Sequence, residues 1–144
     1  MRFDELPRDW AQRPITDPDV FEGVVDLIAT EQSRSDGATY LLLCHSNLRL
    51  LQPICLPDEP RRVEVGEVLD GVRLLLAEMS RHNVHDVVMV TARPGSVSPT
   101  PRDRDLRAAF EGACRAAGFT LHAVAIAAPT GVAVLPLEGD SAAA

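Results

Sequence analysis

The run DVVMVTA at residues 86–92 is the feature that most constrains the fold of this chain. Four consecutive apolar residues stand at its centre, with no alternation between apolar and polar positions. A continuous apolar run of this kind is typical of a strand that is buried on both faces. A strand buried in this way lies inside a sheet that helices cover. The run therefore predicts the central strand of a helix-flanked sheet.

Three amphipathic helices are expected around this strand, because apolar residues recur at a spacing of three and four positions. The first covers residues 15–32, with Asp17 as its cap and Pro18 in its first turn. The last ends at Gly118, a residue that favours helix C-termini. The apolar faces are Val20, Phe21, Val24, Leu27 and Ile28 in the first helix; Val65, Val68, Leu69, Val72, Leu75, Leu76 and Met79 in the second; and Leu106, Ala109, Phe110, Ala113, Cys114 and Ala117 in the third.

Four more runs are typical of strands. Residues 38–46 and 48–56 are separated by a short polar tip, which predicts a hairpin, and Pro53 places the second strand at an edge or a bulge. Residues 119–128 and 132–137 flank a turn, whereas loops are expected at the segments SRSDG (33–37) and PDEPRR (57–62). The order α-β-β-α-β-α-β-β predicts an α/β (α+β) fold with a single mixed β-sheet flanked by helices.

The length of 144 residues and an apolar content of 46% indicate one globular domain. We expect an irregular arm at residues 1–15, the domain at 16–137 and a disordered tail at 138–144. The charge of −7 argues against a nucleic-acid or membrane partner, because phosphate chains and anionic lipids repel such a surface. The N-terminal segment has no apolar core typical of a signal peptide, so the expected location is cytoplasmic.

The three cysteines, Cys44, Cys55 and Cys114, are an odd number, and no two of them have CxxC spacing. We expect all three to be buried as small apolar side chains. Cys44 and His45 do not form a nucleophile and base pair, since neighbours on a strand face opposite sides.

The loop TARPGSVSPTPRDRD at residues 91–105 joins the central strand to the last helix. It contains Arg93-Pro94, then Pro99-Thr100-Pro101, then Asp105. This loop resembles the metal-binding loop of JAB/MPN metalloprotease-like domains, in particular their RadC-like branch. That family has His-x-His-Pro, a short gap, and Pro-x-Pro-Ser-x-x-Asp, and the gap in this chain is one residue longer. The resemblance implies a cytidine-deaminase/JAB-like layered architecture.

The chain departs from the family at the positions that hold zinc. The resemblance places the two histidine ligands at Thr91 and Arg93, and leaves only Asp105 as a ligand. A neutral hydroxyl is a poor zinc ligand, and a guanidinium has no lone pair to donate. The family's general-base glutamate has no clear counterpart; Glu31 is nearest, and its surroundings predict a helix end. We therefore expect no metal, no other cofactor and no catalytic residue of the family type.

Two hypotheses concern what replaces the metal. In the first, the Arg93 guanidinium occupies the metal position and pairs with Asp105; in the alternative, Arg93 points into solvent. A rebuilt pocket that adds Ser96, Ser98 and His122 to this pair would suit an enzyme or a small-anion-binding protein.

Other polar groups have simpler interpretations. His82 and His85 have a spacing that could share a metal with a remote carboxylate, but solvated turn histidines are favoured. Asp103 complements the dipole of the last helix. Arg102 and Arg104 could join Arg93 in binding an anion, although the interspersed aspartates favour a solvated turn.

The sequence as a whole favours a non-catalytic module for interaction or structure. The expected partner is another protein or a second copy of the chain in a homodimer. This step rests on the resemblance, because a fold by itself does not imply a function.

Overall fold

A mixed sheet organises the chain in the computed structural model, which describes residues 2–58 and 64–137. Its strands, within these ranges, are β1 (Ala38–Cys44), β2 (Leu50–Pro57), β3 (Asp86–Ala92), β4 (Thr120–Ala128) and β5 (Gly131–Leu135). They lie in the order β2-β1-β3-β4-β5. β3 and β4 are parallel, and the other neighbours are antiparallel.

β3 lies at the centre of this sheet, and its residues 87–92 are all buried. The prediction of a buried central strand is confirmed, as is the α/β fold class. β1 is buried along its whole length as well, because it lies between β2 and β3 under helices on both faces.

Helices cover the two faces of the sheet unequally. They are α1 (Phe21–Ile28), α2 (Glu31–Asp36), α3 (Val65–Ser80) and α4 (Pro101–Ala117), and two short 3-10 helices, Phe3–Glu5 and Trp10–Gln12, lie in the N-terminal arm. α1 packs with the arm on one face of the sheet. α3 and α4 pack side by side on the other face. Alternate strand residues enter the two layers, so the sheet separates two apolar cores.

The first predicted helix differs most from the structure. The α1 helix starts at Phe21, and its N-cap Val20 makes no side-chain capping bond, so the prediction of Asp17 as the cap is wrong. The Asp17 carboxylate instead accepts a hydrogen bond from Arg13 at 3.2 Å. A separate helix, α2, replaces the loop expected at residues 33–37, because the Thr30 hydroxyl caps a new helical turn.

Several local predictions are confirmed. Gly118 ends α4 in the left-handed conformation with φ of 75°. Pro53 lies in β2, an edge strand that forms a hairpin with β1. Cys44 and Cys114 are buried, but the prediction for Cys55 is wrong: it is exposed, because β2 lies at the sheet edge. The tail at 138–144 and residues 59–62 of the second predicted loop lie outside the described residues.

In the described part of the chain, no helix combines the length and apolar character needed to cross a membrane.

Gly37 joins α2 to β1 with φ of 94°, a conformation that side chains with a Cβ rarely adopt. An added Cβ would lie 2.6 Å from the Asp58 carboxylate. We expect Gly37→Ala to lower the free energy of unfolding by roughly 1–3 kcal/mol in urea denaturation.

Gly112 is the matched control, because it lies inside α4 and an added Cβ meets nothing within 4 Å. We expect Gly112→Ala to raise the free energy of unfolding by about 0.5–1 kcal/mol. Equal effects of the two substitutions would contradict the strained connection at Gly37.

Candidate functional site

Buried polar side chains gather at the end of the sheet where β3 and β4 finish and β1 begins. In residues 2–58 and 64–137 they are Arg34, Thr39, Asp58, Thr91, Arg93 and Asp103. The end of β2 reaches the same place, because Ala38 pairs with Pro57 on one side and Ala92 on the other. Ligands of open α/β sheets bind at the carboxyl ends of the parallel strands. This end is therefore the candidate site.

Arg93 lies at the centre of this end, and the residue is only 7% exposed. Its Nε and Nη2 atoms donate to the Asp103 carboxylate at 3.0 and 2.7 Å. Its other N–H groups donate to three loop carbonyls, those of Pro94, Ser96 and Ser98, at 3.1, 2.6 and 3.0 Å. A guanidinium has five N–H donors, and these contacts use every one of them. The side chain is thus fully engaged inside the protein.

Asp103 is held in place by its position in the first turn of α4. Its Oδ2 accepts the Thr100 N–H at 2.9 Å, and its own N–H donates to the Thr100 hydroxyl at 3.2 Å. This reciprocal pair is a capping box. Burial opposes ionisation of the carboxyl, but the hydrogen bonds from Arg93 and Thr100 outweigh it and lower the pKa of Asp103 below its usual value. The carboxylate is charged and compensates the buried guanidinium.

The prediction that Arg93 pairs with Asp105 is wrong. Asp105 is exposed on α4, and Arg93 has no N–H left for it. The alternative, in which Arg93 points into solvent, is wrong as well. Thr91 is buried at the end of β3, in register with Thr39 of β1. The residues at the family's metal positions therefore do not fit zinc, since only the exposed Asp105 is a good ligand.

The residues of the alternative, rebuilt pocket around Arg93 do not come together. Ser96 and Ser98 are exposed and contribute backbone carbonyls to Arg93. His122 lies at the other end of the sheet, where its Nε2 is 2.8 Å from the Asp86 carboxylate. A register shift between β3 and β4 leaves His122 without a partner across the strands, and this bulge places it beside Asp86.

The other candidate groups do not form a reactive site. Burial raises the pKa of the Cys44 thiol to about 12, and His45 is exposed. His82 lies 3.3 Å from Glu78, while the His85 ring packs edge-on against Phe119. Within the described ranges, no three or more His, Cys, Asp or Glu side chains are grouped closely enough to hold a metal ion.

Sequence reasoning missed a second, partly buried ion pair, on the α1 face of the sheet end. Arg34 of α2 donates to the Asp26 carboxylate at 2.9 Å. It also donates to the carbonyls of Ala29 and Ala128, and so ties α2 to the end of β4. No local motif could have shown this pair, because its groups come from separate elements. The Asp103 contact did have a signal: Thr100 and Asp103 have the spacing of a capping box.

Two clefts lie between α1 and the edge strand β5, and we call them together the α1–β5 groove. The larger, about 900 Å³, lies at the sheet end near the β4–β5 turn and includes Val132. The smaller, about 340 Å³, lies at the opposite end and includes Val134 and His122. Glu22 borders both clefts. Neither has Arg93 or Asp103 in its walls, so the groove is separate from the Arg93–Asp103 ion pair.

Comparison with protein-family models gives no match for this sequence. Comparison with curated proteins gives no significant match either. The resemblance to JAB/MPN-like domains therefore rests on the loop residues and stays a prediction.

We expect Asp103→Asn to lower the free energy of unfolding by about 3 kcal/mol, because it leaves the Arg93 charge buried without a counter-charge. Urea denaturation at neutral pH measures the change. Asp105→Asn is the matched control, and since Asp105 is exposed its effect should stay within about 0.5 kcal/mol. A larger loss for Asp105→Asn than for Asp103→Asn would contradict the observed pairing.

The Asp103 carboxyl also makes stability depend on pH. Its folded-state pKa is lowered, so its contribution is present above the unfolded value of about 3.9 and is lost as pH falls through the folded value. The difference in unfolding free energy between wild type and Asp103→Asn should therefore be constant above about pH 5 and narrow below about pH 4. Urea titrations from pH 7 to about pH 2.5 test this, and a difference that widens in acid would refute it.

Proposed function

We propose that this chain is a non-catalytic, JAB/MPN-like domain that acts as a protein-interaction module. In this proposal the end of the sheet that resembles a metalloprotease site has a structural role only. The binding surface is the α1–β5 groove, on the opposite face of the sheet from α4.

The observation that carries the proposal is the complete internal use of the Arg93 guanidinium. Its five donors are bonded to Asp103 and the loop carbonyls, and its charge is compensated by Asp103. A side chain in this state has no N–H to offer an anion and no lone pair to offer a metal. The alternative function, an enzyme or small-anion binder built around Arg93 and Asp105, is for this reason the weaker candidate.

The support for a binding surface comes from exposed apolar side chains. Among the described residues, five large apolar side chains are exposed, and three of them lie in the walls of the groove: Phe3 (48%), Leu27 (43%) and Val134 (49%). Exposed apolar side chains gathered in one concave surface mark interaction sites, whereas single ones are ordinary.

Peptide display tests the proposal with probes that can be sequenced. We expect immobilised wild-type protein to enrich peptides from a random library. The double variant Leu27→Asp/Val134→Asp should lose that enrichment by about tenfold or more, because charge in an apolar contact costs binding energy.

Leu74→Asp is the matched control. Leu74 is the most exposed large apolar residue described (76%), and α3 places it on the other face of the sheet. This variant should retain the wild-type enrichment. Unfolding midpoints of all variants establish that they are folded. No enrichment by wild type, or equal loss in the Leu74 control, would count against the groove as a binding surface.

A further inference from the structure

The two edges of the sheet differ in what they offer to another strand. β2 carries Pro53 and Pro57, and a proline has no N–H to donate. Prolines on an edge strand hinder the pairing of a further strand. β5, the opposite edge, runs Gly-Val-Ala-Val-Leu with no proline inside it. Among the described residues, no strand lies beyond β5.

One hydrogen bond shows which backbone groups of β5 face outward. The Arg93 N–H donates to the Ala127 carbonyl at 3.0 Å, so this carbonyl points toward β3 and away from β5. Ala127 pairs with Val132 across the antiparallel β4–β5 ladder. In an antiparallel ladder, a residue whose backbone N–H and carbonyl point away from the neighbouring strand is paired with a residue whose N–H and carbonyl also point away. Val132 therefore directs its N–H and carbonyl to the free edge, and Val134, two residues on, does so too.

The side chains of the same two residues lie in the groove. Val132 belongs to the larger cleft and Val134 to the smaller. Their spacing of two residues matches the side-chain repeat of an extended strand. A peptide strand paired with β5 would thus place alternate side chains over this apolar wall, within reach of Leu27.

The charges of the groove favour a basic partner. Its walls contain the carboxylates of Glu22, Asp26 and Glu31 and the guanidiniums of Arg2 and Arg34. The charges of Arg34 and Asp26 neutralise each other in an ion pair, so the other wall charges are two negative, Glu22 and Glu31, and one positive, Arg2. The chain as a whole carries −7, so a cationic segment is attracted, whereas a second copy brings like charge to the same surface.

We infer that an extended segment of a partner protein, whose basic and apolar residues share one face of the strand, adds to β5 as a sixth strand over the α1–β5 groove. Backbone hydrogen bonds to Val132 and Val134 give the register, and the apolar wall and the carboxylates select the side chains. This inference rests on the proposed function, because it names the partner of the same groove.

The test uses the full chain and three synthetic heptapeptides, followed by amide chemical shifts in NMR titrations. In the first peptide, lysine and valine alternate along the four odd positions, which share one face, and threonine fills the even positions. The second peptide replaces lysine by glutamate, and the third is the lysine peptide N-methylated at every backbone nitrogen. We expect saturable binding of the first peptide, with the largest shifts at Val132 and Val134. The second and third should bind about tenfold more weakly or not at all, since one lost hydrogen bond or reversed charge has an effect of this order.

Two variants separate the backbone edge from the side chain at the same position. Val134→Pro removes the outward N–H and no bond to β4, so it should weaken binding of the lysine peptide about tenfold. Val134→Thr keeps the N–H and a β-branched shape, and should bind nearly as well as wild type. Because the N-methylated peptide tests the same bonds from the other side, the inference stays testable if Val134→Pro does not fold.

Several outcomes overturn the inference. Equal binding of the N-methylated peptide refutes strand addition, and equal binding of the glutamate peptide refutes the basic partner. A dimer in light scattering that Val134→Pro dissociates would show that a second copy occupies the edge. If no strand peptide binds while display selects peptides that depend on the groove, strand addition is wrong and the proposed function stands. If display also selects none, both fail.

Discussion

The ion pair between Arg93 and Asp103 is the interaction on which the carboxyl end of the sheet depends. It joins the end of β3 to the first turn of α4, and the same guanidinium satisfies the inward carbonyls of Pro94, Ser96 and Ser98. Pro94, Pro99 and Pro101 have no backbone N–H, so the loop has fewer donors of its own for these groups. The buried charge thus organises the loop, and each partner requires the other because an unpaired buried charge is strongly destabilising.

The location of this ion pair explains how a loop can resemble a metal site without being one. The resemblance implies a zinc ion at the end of β3, where a cation would balance a carboxylate. In this chain a side chain supplies the positive charge, and the carboxylate comes from Asp103 rather than from Asp105. Arg93 and Asp103 line neither of the two clefts described, which lie on the α1 face of the sheet, between α1 and β5. The proposed function and the proposed strand addition both concern that face.

Some of this site could be predicted from sequence and some could not. That Arg93 cannot bind zinc follows from the guanidinium itself, and no structure is needed to see it. The sequence pointed to Asp105 as the partner of Arg93, two residues beyond the observed partner, Asp103. Two residues along a helix correspond to a rotation of about 200°, so when Asp103 faces the sheet end Asp105 faces away. Arg34 and Asp26 gave no signal, because their contact depends on how α1, α2 and β4 come together.

The sequence by itself determined the elements whose patterns are local. The apolar run of β3, the faces of α3 and α4, the glycine that ends α4 and the edge position of Pro53 all follow from residue type and spacing. Only the tertiary structure decided which carboxylate meets Arg93, which cysteine is exposed and which sheet edge is open. These outcomes depend on helix phase, strand register and strand order. Such properties arise when segments distant in sequence pack together, so local patterns do not contain them.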